Sequence, residues 1–321
     1  MIKPRKCAMN KQLKVVFWGS DEFSILPFLR AVENFNVVAF VCETDKPVGR
    51  KQQIMPSKMK VISDEKNILC LQPEIIKNNA EFIKQLRVLQ PDICLLAAYG
   101  KIIPKQVLEI PSFGFINIHP SLLPKYRGAC PVQSALLNGD KVTGVTIIKM
   151  EEALDSGDIL AQKEAAIESD DDYLSLGAKL SSLGANLVVR ACEDLAQNKV
   201  VLVKQDATKA TFCRKIKKQD ALIDWNSSNV EIDNKIRAYA KWPTAFTFFK
   251  KKKISILKAR AIGFNDKKTA SGTVLINNGK VLVNCAEGSL ELIQVQIESK
   301  KAMDIRSFVN GSRDFVGAVL G

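Results

Sequence analysis

The chain contains a single histidine, in a setting that suits catalysis. His119 follows Asn117 by two residues at the end of an apolar stretch, and Pro120 comes directly after it. Side chains two apart in a strand point to the same side, and a proline ends the strand there. An amide beside an imidazole suits acyl transfer, because the amide N–H can hold a developing oxyanion while the imidazole moves protons.

The same pair has an ordinary alternative. A histidine can be a buried, hydrogen-bonded core residue, and an asparagine can simply form a turn. For an arbitrary histidine that alternative is the better one. Here the only histidine of a lysine-rich chain stands at a strand end of an α/β pattern, which favours a catalytic role.

A second polar segment, Leu154-Asp155-Ser156-Gly157-Asp158, follows the strand predicted over Gly144–Met150. These residue types are also common in ordinary turns. The segment gains meaning if the strand ends that carry His119 and Asp155 are neighbours. A carboxylate near an imidazole orients the ring and stabilises its protonated form.

The elements that must position these residues alternate between strands and helices in the first part of the chain. Such alternation predicts a doubly wound, mostly parallel sheet, whose ligand lies at the carboxyl ends of the strands. The predicted strands are Lys14–Trp18, Val37–Cys42, Asp92–Ala97, Gly114–Ile118 and Gly144–Met150. The predicted helices are a segment ending near Glu33, Asn78–Leu89 and Asp172–Asn198.

After Lys199 the pattern changes to short apolar runs separated by lysine, glycine and asparagine turns. The predicted strands are Phe246–Phe249, Ile254–Leu257, Gly272–Ile276, Lys280–Cys285 and Leu290–Gln296, with one helix over Val230–Tyr239. Five short strands indicate a small β-barrel, of the OB-like kind that binds nucleic acids. We therefore expect a catalytic domain over 1–200, a linker over 201–215 and a barrel domain over 216–321.

Positive charge is concentrated in the rear of the chain. From Val201 to Gly321 there are 22 Lys and Arg against 11 Asp and Glu, a net of +11 out of +13 for the whole chain. A basic module predicts a polyanionic partner, with RNA the first candidate and a membrane surface the second. The run Lys250–Lys253 suits phosphate contacts, although a solvated hairpin turn fits it equally well. Trp225, Trp242 and Phe246 are more readily explained by packing than by base stacking.

Cysteine usage argues against a metal centre. The eight cysteines are far apart without a CxxC pair, and only one histidine is available to join them, so we expect no metal. Unpaired, scattered cysteines are typical of a reducing cytosol. The chain has no apolar run long enough to span a bilayer, and we expect a cytoplasmic protein without membrane association.

Together the two chemical segments carry a resemblance to a known family. NIHPSLLPKYRGACPVQSAL followed by TGVTIIKMEEALDSGDIL resembles the folate-dependent formyltransferases, most closely those acting on methionyl-tRNA. The resemblance continues through VVFWGSDEF, DKPVGRKQQIMPS, QPDICLLAAYGKIIP and IDWNSSNVEIDNKIRAYAKWP, so it covers nearly the whole chain.

The resemblance implies an activity and a set of site residues. The enzyme would be a monomer that transfers the formyl group of 10-formyltetrahydrofolate to initiator methionyl-tRNA, for translation initiation. Its catalytic residues would be Asn117, His119 and Asp155. Its folate-binding segment would be Ser121, Leu122, Leu123 and Pro124. The tRNA would be held by the basic loop with Arg50 and Lys51, and by the C-terminal domain, for which Lys250, Lys251, Lys252 and Lys253 are our candidates.

Other functions fit less well. A dinucleotide dehydrogenase requires a glycine-rich turn after the first strand, but only Gly19 is present, and no P-loop occurs. A non-catalytic RNA-binding protein would explain the basic rear but not the paired chemical segments. A formyltransferase for a nucleotide sugar or glycinamide ribonucleotide would share the same trio, yet such a small acceptor does not require so large a basic surface.

Overall fold

A computed structural model describes residues 12–48 and 53–321 of the chain. The chain divides into two compact units. The first comprises the residues up to Pro131 with Val142–Ala166 and Gly177–Cys213; the second comprises Val132–Lys141, Ile167–Leu176 and Arg214–Gly321. The segment predicted as a linker, 201–215, thus lies in the first unit as far as Cys213.

The first unit is built on a mixed sheet. Its strands are β1 (Lys14–Gly19), β2 (Asn36–Val41), β3 (Lys46–Val48), β4 (Gln53–Met55), β5 (Cys70–Leu71), β6 (Ile93–Ala97), β7 (Phe115–His119), β8 (Arg127–Gly128), β9 (Val142–Lys149), β10 (Ile159–Ala166) and β11 (Phe212–Cys213). Seven of them form one sheet in the order β10-β9-β7-β6-β1-β2-β5, while β3 pairs with β4 and β8 with β11.

Strand direction divides this sheet into two parts. The pairs β2–β5, β1–β2, β1–β6 and β6–β7 are parallel, whereas β7–β9 and β9–β10 are antiparallel. All residues of β6 and β7 are buried, which is typical of parallel strands covered on both faces. Around Trp18, the rings of Phe82, Tyr99 and Phe115 pack at 5.2–5.7 Å between centroids. This aromatic cluster packs against Phe115, at the amino end of β7, and the burial of all five β7 residues fixes the strand that ends at His119.

The helices of the described residues are mostly short, and side chains cap several of them. They are α1 (Ile25–Asn34), α2 (Lys58–Glu65), α3 (Ala80–Leu89), α4 (Lys105–Leu108), α5 (Pro131–Leu137), α6 (Tyr173–Ala196), α7 (Asn229–Ala238) and α8 (Ile305–Gly311). Asn79 caps α3 by accepting from the Phe82 N–H, and Ser228 with Glu231 forms a capping box on α7. Among residues 12–48 and 53–321, we find no helix that combines the length and apolarity required to cross a bilayer.

The second unit carries an antiparallel half-barrel sheet. Its strands are β12 (Phe246–Phe249), β13 (Lys252–Ile262), β14 (Val274–Asn277), β15 (Lys280–Asn284), β16 (Ser289–Ile297) and β17 (Met303–Asp304). They follow the order β12-β13-β16-β15-β14, with β17 on β16. Asn278 and Gly279 have positive φ and join β14 to β15 as the expected tight turn. The predicted fold class, a mostly parallel α/β domain followed by a small β domain, is confirmed.

Candidate active site

Asn117 and His119 lie at the carboxyl end of β7, on one side of the strand. Only 6% of Asn117 and 4% of His119 is exposed. Asn117 is paired with Ile148 and His119 with Thr146 on β9, so the strand on which the Asp155 segment follows is the direct neighbour of β7. The strands that carry the two segments are therefore neighbours, but their carboxyl ends are not, because β9 runs antiparallel to β7 and its last residue, Lys149, pairs with Ile116.

Asp155 reaches the pair from the turn after β9. Its Oδ1 accepts a long hydrogen bond of 3.4 Å from Asn117 Nδ2, and its Oδ2 lies 3.7 Å from His119 Nδ1. The same Oδ2 accepts from the Gly128 N–H at 2.8 Å. The three residues predicted as the catalytic trio are thus brought together, while their catalytic role stays a prediction.

The orientation of the His119 ring follows from its other neighbour. His119 Nε2 lies 2.9 Å from the backbone carbonyl oxygen of Tyr126. A carbonyl oxygen only accepts, so Nε2 must carry a hydrogen. Nδ1 is then the ring atom that faces the carboxylate of Asp155, and in the neutral imidazole it holds the lone pair.

Two glycines allow the backbone approaches that this geometry requires. Gly128 has φ +123°, and a Cβ there would lie 2.2 Å from the carbonyl oxygen of Cys213. At Gly157 a Cβ would lie 1.7 Å from the carbonyl oxygen of Lys149. A side chain is sterically excluded at both positions. Gly157 belongs to the recognised Asp-Ser-Gly-Asp motif, but nothing in the sequence pattern singled out Gly128.

The predicted folate segment continues directly from His119 and is held by two further polar residues. Thr146 Oγ1 donates to the Ser121 carbonyl at 2.6 Å and accepts from the Leu123 N–H at 3.1 Å. Gln162 Nε2 donates to the Leu123 carbonyl and to Thr146 Oγ1. Sequence reasoning missed both Thr146 and Gln162, because single polar residues in strands carry no motif.

The side chains of the folate segment differ in exposure. Ser121 is fully buried, and its hydroxyl donates to the Lys125 carbonyl at 2.6 Å. Leu123 is 3% exposed, whereas Leu122 and Pro124 are half-buried. Leu122 and Pro124 are therefore the members of the segment whose side chains remain accessible to a ligand.

The residues predicted to bind tRNA are reported in two groups. Arg50 and Lys51 lie outside the described residues. Lys250 and Lys251 have positive φ and form the turn between β12 and β13, as in the hairpin interpretation. Lys250 forms an ion pair with Asp314, and Lys253 Nζ lies 4.2 Å from the centre of the Phe246 ring.

The tryptophans considered for base stacking, Trp225 and Trp242, differ in exposure. Trp225 is 4% exposed and donates to Thr247 Oγ1 at 3.0 Å, so it is a packing residue. Trp242 is 48% exposed. Across residues 12–48 and 53–321, no cluster of three or more His, Cys, Asp or Glu side chains is arranged to hold a metal ion.

Comparison with known proteins places this geometry in a family. Residues 14–192 match the formyl transferase family, and residues 215–313 match the formyl transferase C-terminal domain. The methionyl-tRNA formyltransferase of Caldicellulosiruptor saccharolyticus is 41% identical over 312 residues, covering 96% of this chain and 100% of that protein. That of Caldanaerobacter subterraneus is 38% identical, with 96% and 100% covered.

A solved structure has the same fold. The methionyl-tRNA formyltransferase from Clostridium thermocellum superimposes with a TM-score of 0.55 at 17% identity, over 89% of this chain and 98% of that one. Sequence similarity over nearly the full length, together with the matching fold, establishes the relationship. This chain belongs to the formyl transferase family and is a formyl-transferring enzyme.

Proposed function

We propose that the chain transfers the formyl group of 10-formyltetrahydrofolate to the amino group of methionine on initiator methionyl-tRNA. The observation that carries the proposal is the similarity to methionyl-tRNA formyltransferases at about 40% identity over 96% of the chain. The product, N-formylmethionyl-tRNA, is the one used in translation initiation.

Asn117 stabilises the tetrahedral intermediate. When the amine attacks the formyl carbon, the formyl oxygen becomes an oxyanion that requires a hydrogen-bond donor. Asn117 Nδ2 carries two hydrogens, and only one is directed at Asp155. The second is available to the oxyanion, and a donor of this type contributes roughly 3 kcal/mol to transition-state stability.

His119 and Asp155 act as one proton-transfer pair. The amine loses a proton as its bond to the formyl carbon forms, and N10 of the folate gains one as its bond breaks. The pair formed by His119 Nδ1 and Asp155 Oδ2, which lie 3.7 Å apart, accepts that proton and returns it to N10. No metal is required, because the N10-formyl group is already an activated donor.

The two substrates use different surfaces. The folate lies beside the Ser121–Pro124 segment, where Leu122 contributes apolar contact. The tRNA is held by Arg50 and Lys51 and by the C-terminal unit, where the exposed Lys251 and Lys252 are available for phosphates. Exposed cations provide affinity without fixing geometry.

We further propose that the enzyme is a cytoplasmic monomer. The Sγ atoms of Cys42 and Cys70 lie 3.7 Å apart and share a hydrogen bond rather than a disulfide, and such a pair persists as thiols in a reducing compartment. Size-exclusion chromatography with light scattering tests the monomer, for which a mass near 35.5 kDa is expected.

An acceptor panel tests the function. The purified protein is given labelled 10-formyltetrahydrofolate with methionyl-tRNA, free methionine, glycinamide ribonucleotide or amino sugars. Label should enter initiator methionyl-tRNA fastest, and His119→Ala, run in parallel, should abolish most of that signal. Faster labelling of a sugar or ribonucleotide would reject the proposed acceptor while leaving formyl transfer in place.

A further inference from the structure

Gln205 makes four hydrogen bonds around the catalytic turn. Its Nε2 donates to the backbone carbonyls of Asp155 at 2.9 Å and Gly157 at 2.7 Å. Its Oε1 accepts from Arg127 Nε at 3.1 Å and from a terminal nitrogen of the same guanidinium at 2.7 Å. Gln205 is partly buried, whereas its neighbours Val201–Lys204 and Asp206–Lys209 are exposed.

The chemistry of the four partners fixes the orientation of this amide. Carbonyl oxygens only accept and a guanidinium only donates, so Nε2 must face the turn and Oε1 must face Arg127. Arg127 is 8% exposed. Two nitrogens of this buried guanidinium donate to the single oxygen Oε1, and their rigid spacing holds that oxygen in one direction.

Arg127 and Gly128, which are adjacent in sequence, link the Gln205 amide to the carboxylate of Asp155. The Gly128 N–H donates to Asp155 Oδ2, and the adjacent Arg127 side chain holds Gln205. Gln205 in turn holds the Asp155 carbonyl, which closes a ring of hydrogen bonds through Asp155. Asp155 has φ 48°, in the left-handed region that few residues other than glycine, asparagine and aspartate adopt, and the hydrogen bonds of Gln205 hold the turn in this conformation.

We propose that Gln205 is a positioning residue for Asp155, with Arg127 orienting its amide. The proposal rests on the proposed function, because Asp155 must take part in formyl transfer for its position to matter. Gln205 acts through the carbonyls of Asp155 and Gly157, to which its amide donates. Loss of these two donated bonds lets the Asp155 turn relax, and a shift of about 1 Å in a catalytic group can cost roughly 100-fold in rate.

The main variant is Gln205→Met, which keeps the length of the side chain and removes its hydrogen bonds. We expect kcat to fall about 10- to 100-fold, while KM for the folate and the tRNA changes little. The matched control is Gln197→Met, the same substitution at an exposed glutamine that follows α6; it should behave as wild type. Wild-type kcat in Gln205→Met would overturn the proposal.

A double-mutant cycle and a pH profile separate positioning from general stability. In an Asp155→Ala background, Gln205→Met should lower kcat further by less than about threefold, because the group it positions is gone. The full 10- to 100-fold loss in that background would reject action through the Asp155 carboxylate. Gln205→Met should also displace the pH profile of kcat, whereas a purely structural loss lowers the rate equally at every pH.

Gln205→Glu covers the case in which the methionine variant does not fold. It keeps an acceptor for Arg127 but places an oxygen where Nε2 donated to the two carbonyls, so kcat should fall in a variant that circular dichroism shows to be folded. Wild-type kcat in a folded Gln205→Glu variant overturns the proposal. All rates are measured with the acceptor that the wild-type enzyme formylates fastest. If that acceptor is not initiator methionyl-tRNA, the proposed function fails, but the comparison of Gln205 variants with the wild type still tests the positioning role.

Discussion

The polar groups around Asp155 are buried and hydrogen-bonded, whereas those of the Lys250–Lys253 hairpin are mostly exposed. Asn117 and His119 are almost fully buried, and Asp155 is hydrogen-bonded at its carboxylate and its carbonyl. Lys250–Lys252 are exposed on a turn. Buried groups with assigned partners give a fixed geometry, which chemistry requires. Exposed charges give affinity over a range of positions, which capture of a polyanion requires.

The largest effect should come from the buried trio. His119→Ala should lower turnover about 100-fold or more, because a general acid–base group contributes 10²–10⁴. Asn117→Ala and Asp155→Ala should behave similarly, and the losses should combine less than additively, since the residues act as a unit. Steady-state kinetics and thermal melting check this. A folded His119→Ala enzyme with normal turnover would mean that His119 is a core residue only.

A smaller loss is expected at the backbone that serves the trio. Gly128→Ala introduces a Cβ against the Cys213 carbonyl at a positive φ, so the free energy of unfolding should fall by about 1–3 kcal/mol or more. Turnover should fall with it, because the N–H that binds Asp155 moves. Gly279→Ala is the control: its φ is +70° but its surroundings are open, so only stability should decrease. Equal turnover in the two variants would contradict the role of Gly128.

The lysine hairpin should affect binding and leave chemistry intact. Replacing Lys250–Lys253 with alanine should weaken tRNA binding and reduce the slope of log affinity against log salt, by about 0.7–0.9 for each phosphate that the variant no longer neutralises. Turnover at saturating tRNA should be nearly kept. If the slope of log affinity against log salt is unchanged, Lys250–Lys253 form a solvated turn that does not contact the tRNA.

Arg50 provides the contrasting test. Replacing Arg50 with alanine should lower turnover itself, because we propose that the basic loop with Arg50 and Lys51 positions the acceptor end of the tRNA. Saturating rates measured beside those of the lysine variant check the difference. If the Arg50 variant loses tRNA affinity but keeps its turnover, the Arg50 loop contributes only to binding, as we expect for the Lys250–Lys253 hairpin.

Within the lysine run the structure predicts unequal shares. Lys251→Ala with Lys252→Ala should reduce the salt slope more than Lys250→Ala with Lys253→Ala, because Lys250 already pairs with Asp314 and Lys253 covers Phe246. Filter binding at several salt concentrations distinguishes the two pairs. Equal slopes would indicate that the ion pair with Asp314 opens when RNA binds.

The smallest effect concerns an exposed ion pair in the second unit. Hydrogen bonds from Arg214 and from the Lys217 N–H lower the pKa of Asp220 to about 2. A lowered folded-state pKa adds stability above the unfolded value near 3.8, and this stability is lost as pH falls towards 2. Asp220→Asn should therefore destabilise by at most about 1 kcal/mol at pH 7 and by nothing well below pH 2, where the carboxyl group is protonated in both states. Asp170→Asn, at an exposed position, is the control in the same denaturant titrations.

The sequence predicted the site residues that lie on or directly after a buried strand, but not those that are recognised only by partners distant in sequence. Asn117 and His119 lie on β7 and the Asp155 turn follows β9, and both strands are recognisable as apolar runs in the sequence. Gln205 is 50 residues from Asp155 and is surrounded by exposed residues, so no periodicity marks it. A single glutamine in a connector carries no local signal of its partners.

Fold prediction failed in a comparable way. Strand β10 was missed because its centre is polar and exposed, with Lys163 and Glu164, as is typical of an edge strand. The short hairpin of β3 and β4 was expected to be a loop, since two strands of three residues offer little periodicity. The antiparallel direction of β9 was also hidden, because side-chain alternation is the same for both strand directions.

The pairing of β11 with β8 has a consequence for biosynthesis. Phe212 and Cys213 pair with Arg127 and Gly128, and Gln205 lies on the same late segment. A nascent chain that ends near residue 200 already contains Asn117, His119 and Asp155, yet it lacks the strand and the amide that hold them. The candidate active site is therefore completed only after the ribosome has passed Cys213, when all seven strands of the sheet that carries it have already been synthesised.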